Sequence, residues 1–177
     1  MKPLLAVARW IDRLNGLVGK AMGWLVLATI AISAGNAVVR KLLNISSNGW
    51  LEIQWYLFGT VFLLGAAYTL REGAHVRIDL LSSRFNDLTK AWIDALGYLF
   101  FVLPLVGFVT IHGWEFFYQS WRIDEMSPDA GGLIRWPAKL MIVLGFALLG
   151  LQVLSEMIKT AHRLRLASQG HQTTGEA

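Results

Sequence analysis

The chemistry open to this chain is limited by where its reactive side chains fall. It contains no cysteine, which removes disulfide frameworks, thiolate metal sites and cysteine nucleophiles together. Its four histidines are His75, His112, His162 and His171. Haem held between two membrane helices needs paired histidines at matching depths; these four fall in a loop, at a span end and in the C-terminal tail. No nucleophile elbow, phosphate-binding glycine loop or metal-ligand cluster is present in the sequence. The other ionisable residues avoid the middle of every long apolar run. A carrier that couples ions by itself needs such groups at depth, because charge in lipid is costly and marks function where it occurs. The expectation is a protein that is not an enzyme and uses no metal or cofactor.

The elements that must position these residues follow from hydropathy. Of 177 residues, 55% are apolar and 16% charged, and the mean hydropathy is +0.48. A soluble domain has about 45–50% apolar and about 25% charged residues. Four runs, Ala21 to Val39, Ile53 to Leu70, Ala91 to Ile111 and Leu140 to Leu154, match the roughly 20 helical residues that cross a bilayer. They lack the polar stripe of a soluble bundle helix. The fold class expected is an all-α membrane protein with four transmembrane helices. The net charge of +4 is read through its placement along the chain and points to no nucleic acid.

Residues 3–20 put Leu4, Val7, Ile11, Leu14 and Val18 on one helical face and Arg9, Arg13 and Lys20 on the other, the pattern of an amphipathic helix at a membrane interface. A cleaved signal peptide ending at Ala31-Ile32-Ser33 is the competing reading. The long basic region, the presence of Asp12 and an apolar run continuing past that tripeptide weigh against it. The expected organisation is an interfacial helix at 1–20, a four-helix membrane domain at 21–160 and a partly disordered tail at 161–177. Asn44, Ser46, Ser47 and Asn48 suit the start of span two, with Glu52 expected in its first turn beside the helix dipole. Arg71-Glu72-Gly73 ends that span, and a short interfacial helix is expected between 71 and 90. Asn86 and Asp87 can cap span three, Pro104 should kink it with support from neighbouring helices, and Pro137 suits the first turn of span four. Ser127-Pro128 and Gly131-Gly132 mark turns between them.

Eleven basic residues lie in the N-terminal segment, the loop 71–90 and the C-terminal segment, against five on the other side. By the positive-inside rule both termini face the cytoplasm of an inner membrane protein. Trp50, Trp55, Trp114, Trp121 and Trp136 would form an outer aromatic belt, with Trp10 and Trp92 inside. The polar residues within the spans (Thr29, Ser33, Asn36, Thr60, Thr110 and Gln152) are of the kind that join helices rather than hold ions.

Specific residues then carry a resemblance. Asn48-Gly49-Trp50-Leu51-Glu52-Ile53-Gln54-Trp55 opens span two, Gly65-Ala66-Ala67-Tyr68-Thr69-Leu70-Arg71 closes it, and His75-Val76-Arg77-Ile78-Asp79 follows. Over roughly residues 20 to 160 the chain resembles the small permease (Q-type) subunit of tripartite ATP-independent periplasmic (TRAP) transporters. The family's matching positions are Arg40, Glu52, Arg71, His75 and Asp79. They are candidates for subunit-interface or structural roles, among them an ion pair between Arg40 and Glu52. The resemblance implies as partners a large permease subunit, which carries substrate and coupling ion, and a periplasmic substrate-binding protein, besides the membrane lipids. It implies a scaffolding and docking role in cation-coupled uptake of an organic acid. Gly131-Gly132-Leu133-Ile134-Arg135-Trp136-Pro137 and Ser155-Glu156-Met157-Ile158-Lys159 resemble a subgroup handling α-keto acids, mannitol or chloroaromatic acids. Arg122, Asp124, Glu125, Asp129 and Arg135 offer mixed charge for docking a soluble protein. The alternatives come from two other classes: a small homo-oligomeric exporter, which would want a mid-membrane glutamate that this chain lacks, and a membrane anchor for a redox enzyme, which would want paired histidines.

Because the chain has no cysteine, its topology is testable by single introduced thiols. Ser47→Cys and Asp129→Cys should react with an impermeant reagent from the periplasm, whereas Asn86→Cys and Gln169→Cys should not. Labelling of position 86 in intact cells would invert the orientation.

Overall fold

The structure is a computed structural model, which describes residues 2–44, 47–73 and 85–173, with the side chains of Asp87 and of 167–173 outside the description. Among the described residues five α-helices follow in order: α1 (Lys2–Leu43), α2 (Asn48–Arg71), α3 (Asp87–Gly97), α4 (Leu103–Arg122) and α5 (Trp136–Thr173), with a π-helical turn at Tyr98–Val102 joining α3 to α4. Four helical stretches are long and apolar enough to cross a membrane, and α3, the π turn and α4 together make the third. Among the described residues there is no strand; Met126 and Ile134 form an isolated antiparallel bridge. His75 and Asp79, and the helix expected around them, lie outside the described residues.

Local sequence accounts for the helix ends. Asn44 takes a left-handed conformation (φ 52°) after α1, a conformation asparagine tolerates at helix C-termini. The Asn86 side chain caps α3 by accepting from the Thr89 N–H at 2.8 Å. Gly73 (φ 64°) stops α2. Pro104 has no N–H and would collide with the carbonyl of residue 100 in a regular helix. The chain resolves this by widening one turn, with the Leu103 N–H reaching back to the Tyr98 carbonyl. Where a kink was expected at Pro104, the helix instead carries a π turn just before it.

Residues 3–20 do not form a separate element. They are the first half of α1, which runs unbroken for 42 residues, roughly 63 Å at 1.5 Å per residue.

The fourth span is the axis of the bundle. Helix α5 packs against every other helix and the π turn, and 33% of its most apolar window is buried, against 0%, 6% and 6% for the other three spans. Close crossings depend on glycine. A Cβ on Gly145 of α5 would lie 2.8 Å from the Leu63 carbonyl oxygen of α2, and one on Gly150 would lie 2.8 Å from Val106 of α4. At the end carrying the termini, Arg71 and the Tyr68 ring lie over Gly16 and Gly19 of α1, where any side chain would collide with them. Such small-residue contacts let backbones approach where lipid gives no hydrophobic incentive to associate.

Two glycines therefore make opposite predictions. Gly145→Leu drives a side chain into backbone and should lower the melting midpoint of the purified chain, a cost of about 1–3 kcal/mol or more. Gly35→Leu, where an added Cβ meets nothing within 4 Å, should leave the isolated chain's midpoint unchanged. Equal effects would show that α2 and α5 do not cross as described.

Candidate functional site

With the span centres free of charge, the polar chemistry collects at the two ends of the bundle. One end is organised around Glu52. Helix α2 starts at Asn48 and its first turn contains no acidic residue, so Glu52 lies beyond the position expected for compensating the dipole. Nor does it pair with Arg40, which is exposed. The residue is 7% exposed, and its carboxylate accepts from the backbone N–H of Leu133 at 2.6 Å and from the Ser127 hydroxyl. Both donors belong to the segment between α4 and α5.

That segment is a short hairpin built to present them. The Ser127 N–H donates to the Leu133 carbonyl at 3.0 Å and the Arg135 N–H to the Glu125 carbonyl at 2.8 Å. The tip closes with the Gly132 N–H on the Asp129 carbonyl, 2.9 Å, and requires Gly131 in a left-handed conformation (φ 74°). A Cβ on Gly132 would stand 2.9 Å from Glu52 Oε1, so glycine there admits the carboxylate. The Asn48 amide also donates to the Ala130 carbonyl, 3.0 Å. Helix α2 thus holds the hairpin at two points.

Glu125 anchors the hairpin to α5 through an ion pair with Lys139, whose ammonium lies 3.9 Å from the centre of the Phe116 ring. The Lys139 hydrogen bond holds the Glu125 carboxyl below the usual carboxylate range. The nearby Ser120 hydroxyl contributes less and forms no hydrogen bond of good geometry. A depressed pKa means the pair's contribution is complete above the ordinary carboxylate range and fades as pH falls through the lowered value. Of the other expected docking residues, Arg122, Asp124 and Asp129 are exposed, and Arg135 is half-buried.

At the opposite end, α1 and α5 run antiparallel and share a buried network. Gln152, fully buried, accepts from the Asn15 amide at 2.8 Å and donates to Asp12 at 2.9 Å and to Glu156 at 3.0 Å. Ser155 donates to Asp12 at 2.9 Å, and Lys159 bridges Asp12 (3.1 Å) and Glu156 (2.6 Å). Of the span-interior polar residues, Gln152 does join helices. Thr29 and Thr60 instead bond carbonyls one turn back in their own helices. Arg71 lies with its guanidinium 5.9 Å from the Tyr68 ring centre and 3.6 Å from Glu72.

The sequence reading missed Asn15 and gave Asp12 no structural role. The polar side chains of Asp12 and Asn15 near an apolar helical run were the available signal. Among the described residues no cluster of three or more His, Asp or Glu side chains stands ready to hold a metal.

An all-helical protein with four helices long and apolar enough to span a membrane, its described ion pairs gathered toward the span ends, has the form of an integral membrane component. Residues 29–163 match the family model described as the DctQ component of tripartite ATP-independent periplasmic transporters. The match covers most of the chain, which belongs to this family: a small inner-membrane component of a TRAP transporter. No curated protein and no solved structure matches the chain.

Replacing Glu52 tests the hairpin end. Glu52→Ala leaves the Leu133 N–H without its charged acceptor, an interaction worth about 1.5–3 kcal/mol. Hydrogen exchange at residues 125–135 should accelerate at least about ten-fold, with Glu52→Gln intermediate. Unchanged exchange would mean the hairpin stands without the carboxylate.

Proposed function

We propose that this chain is the fixed scaffold for the large permease subunit and helps to dock the periplasmic substrate-binding protein, without itself carrying substrate or ion. The confinement of its charged groups to the two ends of the spans carries the reading, since a coupling site in lipid needs oxygen ligands or ionisable groups at depth. The hairpin end supports the docking part. Glu52 and the Glu125–Lys139 pair are consumed in holding the hairpin, and this leaves Arg122, Asp124 and Asp129 outward for a soluble partner. Exposed charges of both signs steer encounter and register more than they add affinity. In this orientation the hairpin faces the periplasm and both termini the cytoplasm. The substrate is an organic acid and the driving force a cation gradient, with selectivity residing in the partners.

The test is uptake into proteoliposomes with each component omitted in turn. Uptake should require all three, and this chain alone should give none. Asp124→Asn with Asp129→Asn should weaken stimulation by the binding protein in a salt-dependent manner while the two membrane subunits still co-purify. Uptake by this chain alone would overturn the scaffold reading, and an unchanged response to the binding protein would remove the hairpin from docking.

A further inference from the structure

At the end of the bundle that carries the termini, two cavities adjoin between α1 and α5. One, of about 490 Å³, is lined only by apolar side chains, among them Leu4, Leu5 and Val7 of α1 and Leu154 and Ile158 of α5. The other, of about 460 Å³, is lined by Lys2, Leu5, Ala8, Arg9 and Asp12 of α1 and by Lys159 of α5. Leu5 lines both, so the apolar groove opens beside the charged one. The charges there do not balance. Asp12 is engaged by Lys159, Ser155 and Gln152, and Lys159 is shared with Glu156. Lys2 and Arg9 are exposed, and neither pairs with an acid among the described residues. Spacings of three and four residues put Lys2, Leu5 and Arg9 on one face of α1. The next residue, Trp10, is 63% exposed, and an exposed indole beside basic residues belongs at headgroup depth.

We infer that the paired cavities bind an anionic phospholipid, with its phosphate on Lys2 and Arg9 and an acyl chain along Leu4, Val7 and Leu154. The cations at the mouth of the groove identify the occupant. A zwitterionic lipid would bring its own ammonium toward them, whereas an anionic lipid meets them with net negative charge and supplies the hydrocarbon from the same molecule. A second copy of the chain would bring the same basic segment against itself. The site needs only the membrane and does not depend on the scaffold reading.

The experiment titrates the full chain, purified in detergent, with dioleoylphosphatidylglycerol or dioleoylphosphatidylcholine and counts bound lipid by native mass spectrometry. Phosphatidylglycerol should bind about ten-fold more tightly. Lys2→Gln with Arg9→Gln should abolish that preference. Arg40→Gln with Lys41→Gln removes the same charge from the far end of α1 and should leave it intact. Ala161→Trp, which fills the apolar groove from its exposed rim, should weaken binding of both lipids. Equal retention of the two lipids, a preference that survives loss of Lys2 and Arg9, or binding untouched by Ala161→Trp overturns the proposal. Glycerol 3-phosphate, the headgroup chemistry without chains, should not compete at equal concentration; competition would make this a site for free phosphate esters and overturn the lipid. A second arm keeps every charge in place and uses Val7→Cys in the cysteine-free chain, labelled with a nitroxide. The label should lose mobility when phosphatidylglycerol is added and much less with phosphatidylcholine. A label already immobile before lipid is added, as a protein segment or a second copy in the groove would make it, overturns the proposal.

Discussion

A carboxylate at the end of a membrane helix must either face water or find donors inside the protein, and Glu52 finds them. Its two oxygens take a backbone N–H and a hydroxyl from a segment 75 to 81 residues away in the chain. The details of that end serve the arrangement. Gly132 leaves space for the carboxylate, and Gly131 turns the tip. Asn48 holds the tip from one turn earlier on the same helix. The hairpin in turn delivers the chain from the end of α4 to the start of α5 at a set position. The burial of one charge thus ties together three of the four spans.

The opposite end is held by a network of a different kind, several partly charged side chains between two antiparallel helices. Both groups satisfy their members largely within the chain, as a low-dielectric setting demands. Between them the spans meet mainly through glycine and small aliphatic contacts around α5. Strength sits at the two ends, and the middle is smooth. Such a distribution suits the scaffold role proposed above.

The number and placement of the spans were legible in the sequence because hydrocarbon thickness sets a minimum apolar length that four runs meet. The Asn86 cap, the stop at Gly73 and the first-turn Pro137 were legible for the same local reason: each depends on its own backbone groups. The distortion at Pro104 was expected, and its π form was not, because the choice between a kink and a widened turn depends on surrounding packing. The partners of Glu52 were misread. Sequence proximity suggested the helix dipole or Arg40, whereas the true donors arrive through tertiary structure. The Asn15–Gln152 bond spans 137 residues, and no local pattern encodes which faces of α1 and α5 meet. The continuity of α1 was hidden as well, since an amphipathic stretch next to an apolar one reads the same whether or not the helix bends between them.

That continuity has a mechanical consequence. The rod of α1 is about twice as long as the hydrocarbon layer is thick, and its first half is clamped to α5 by Asp12 and Asn15. The basic face of residues 2–20 therefore cannot swivel to the headgroups independently of the apolar half. The depth of those positive charges is set by the tilt of the whole bundle. A thinner bilayer, by tilting the bundle further, would press them against anionic headgroups, and a thicker one would lift them away.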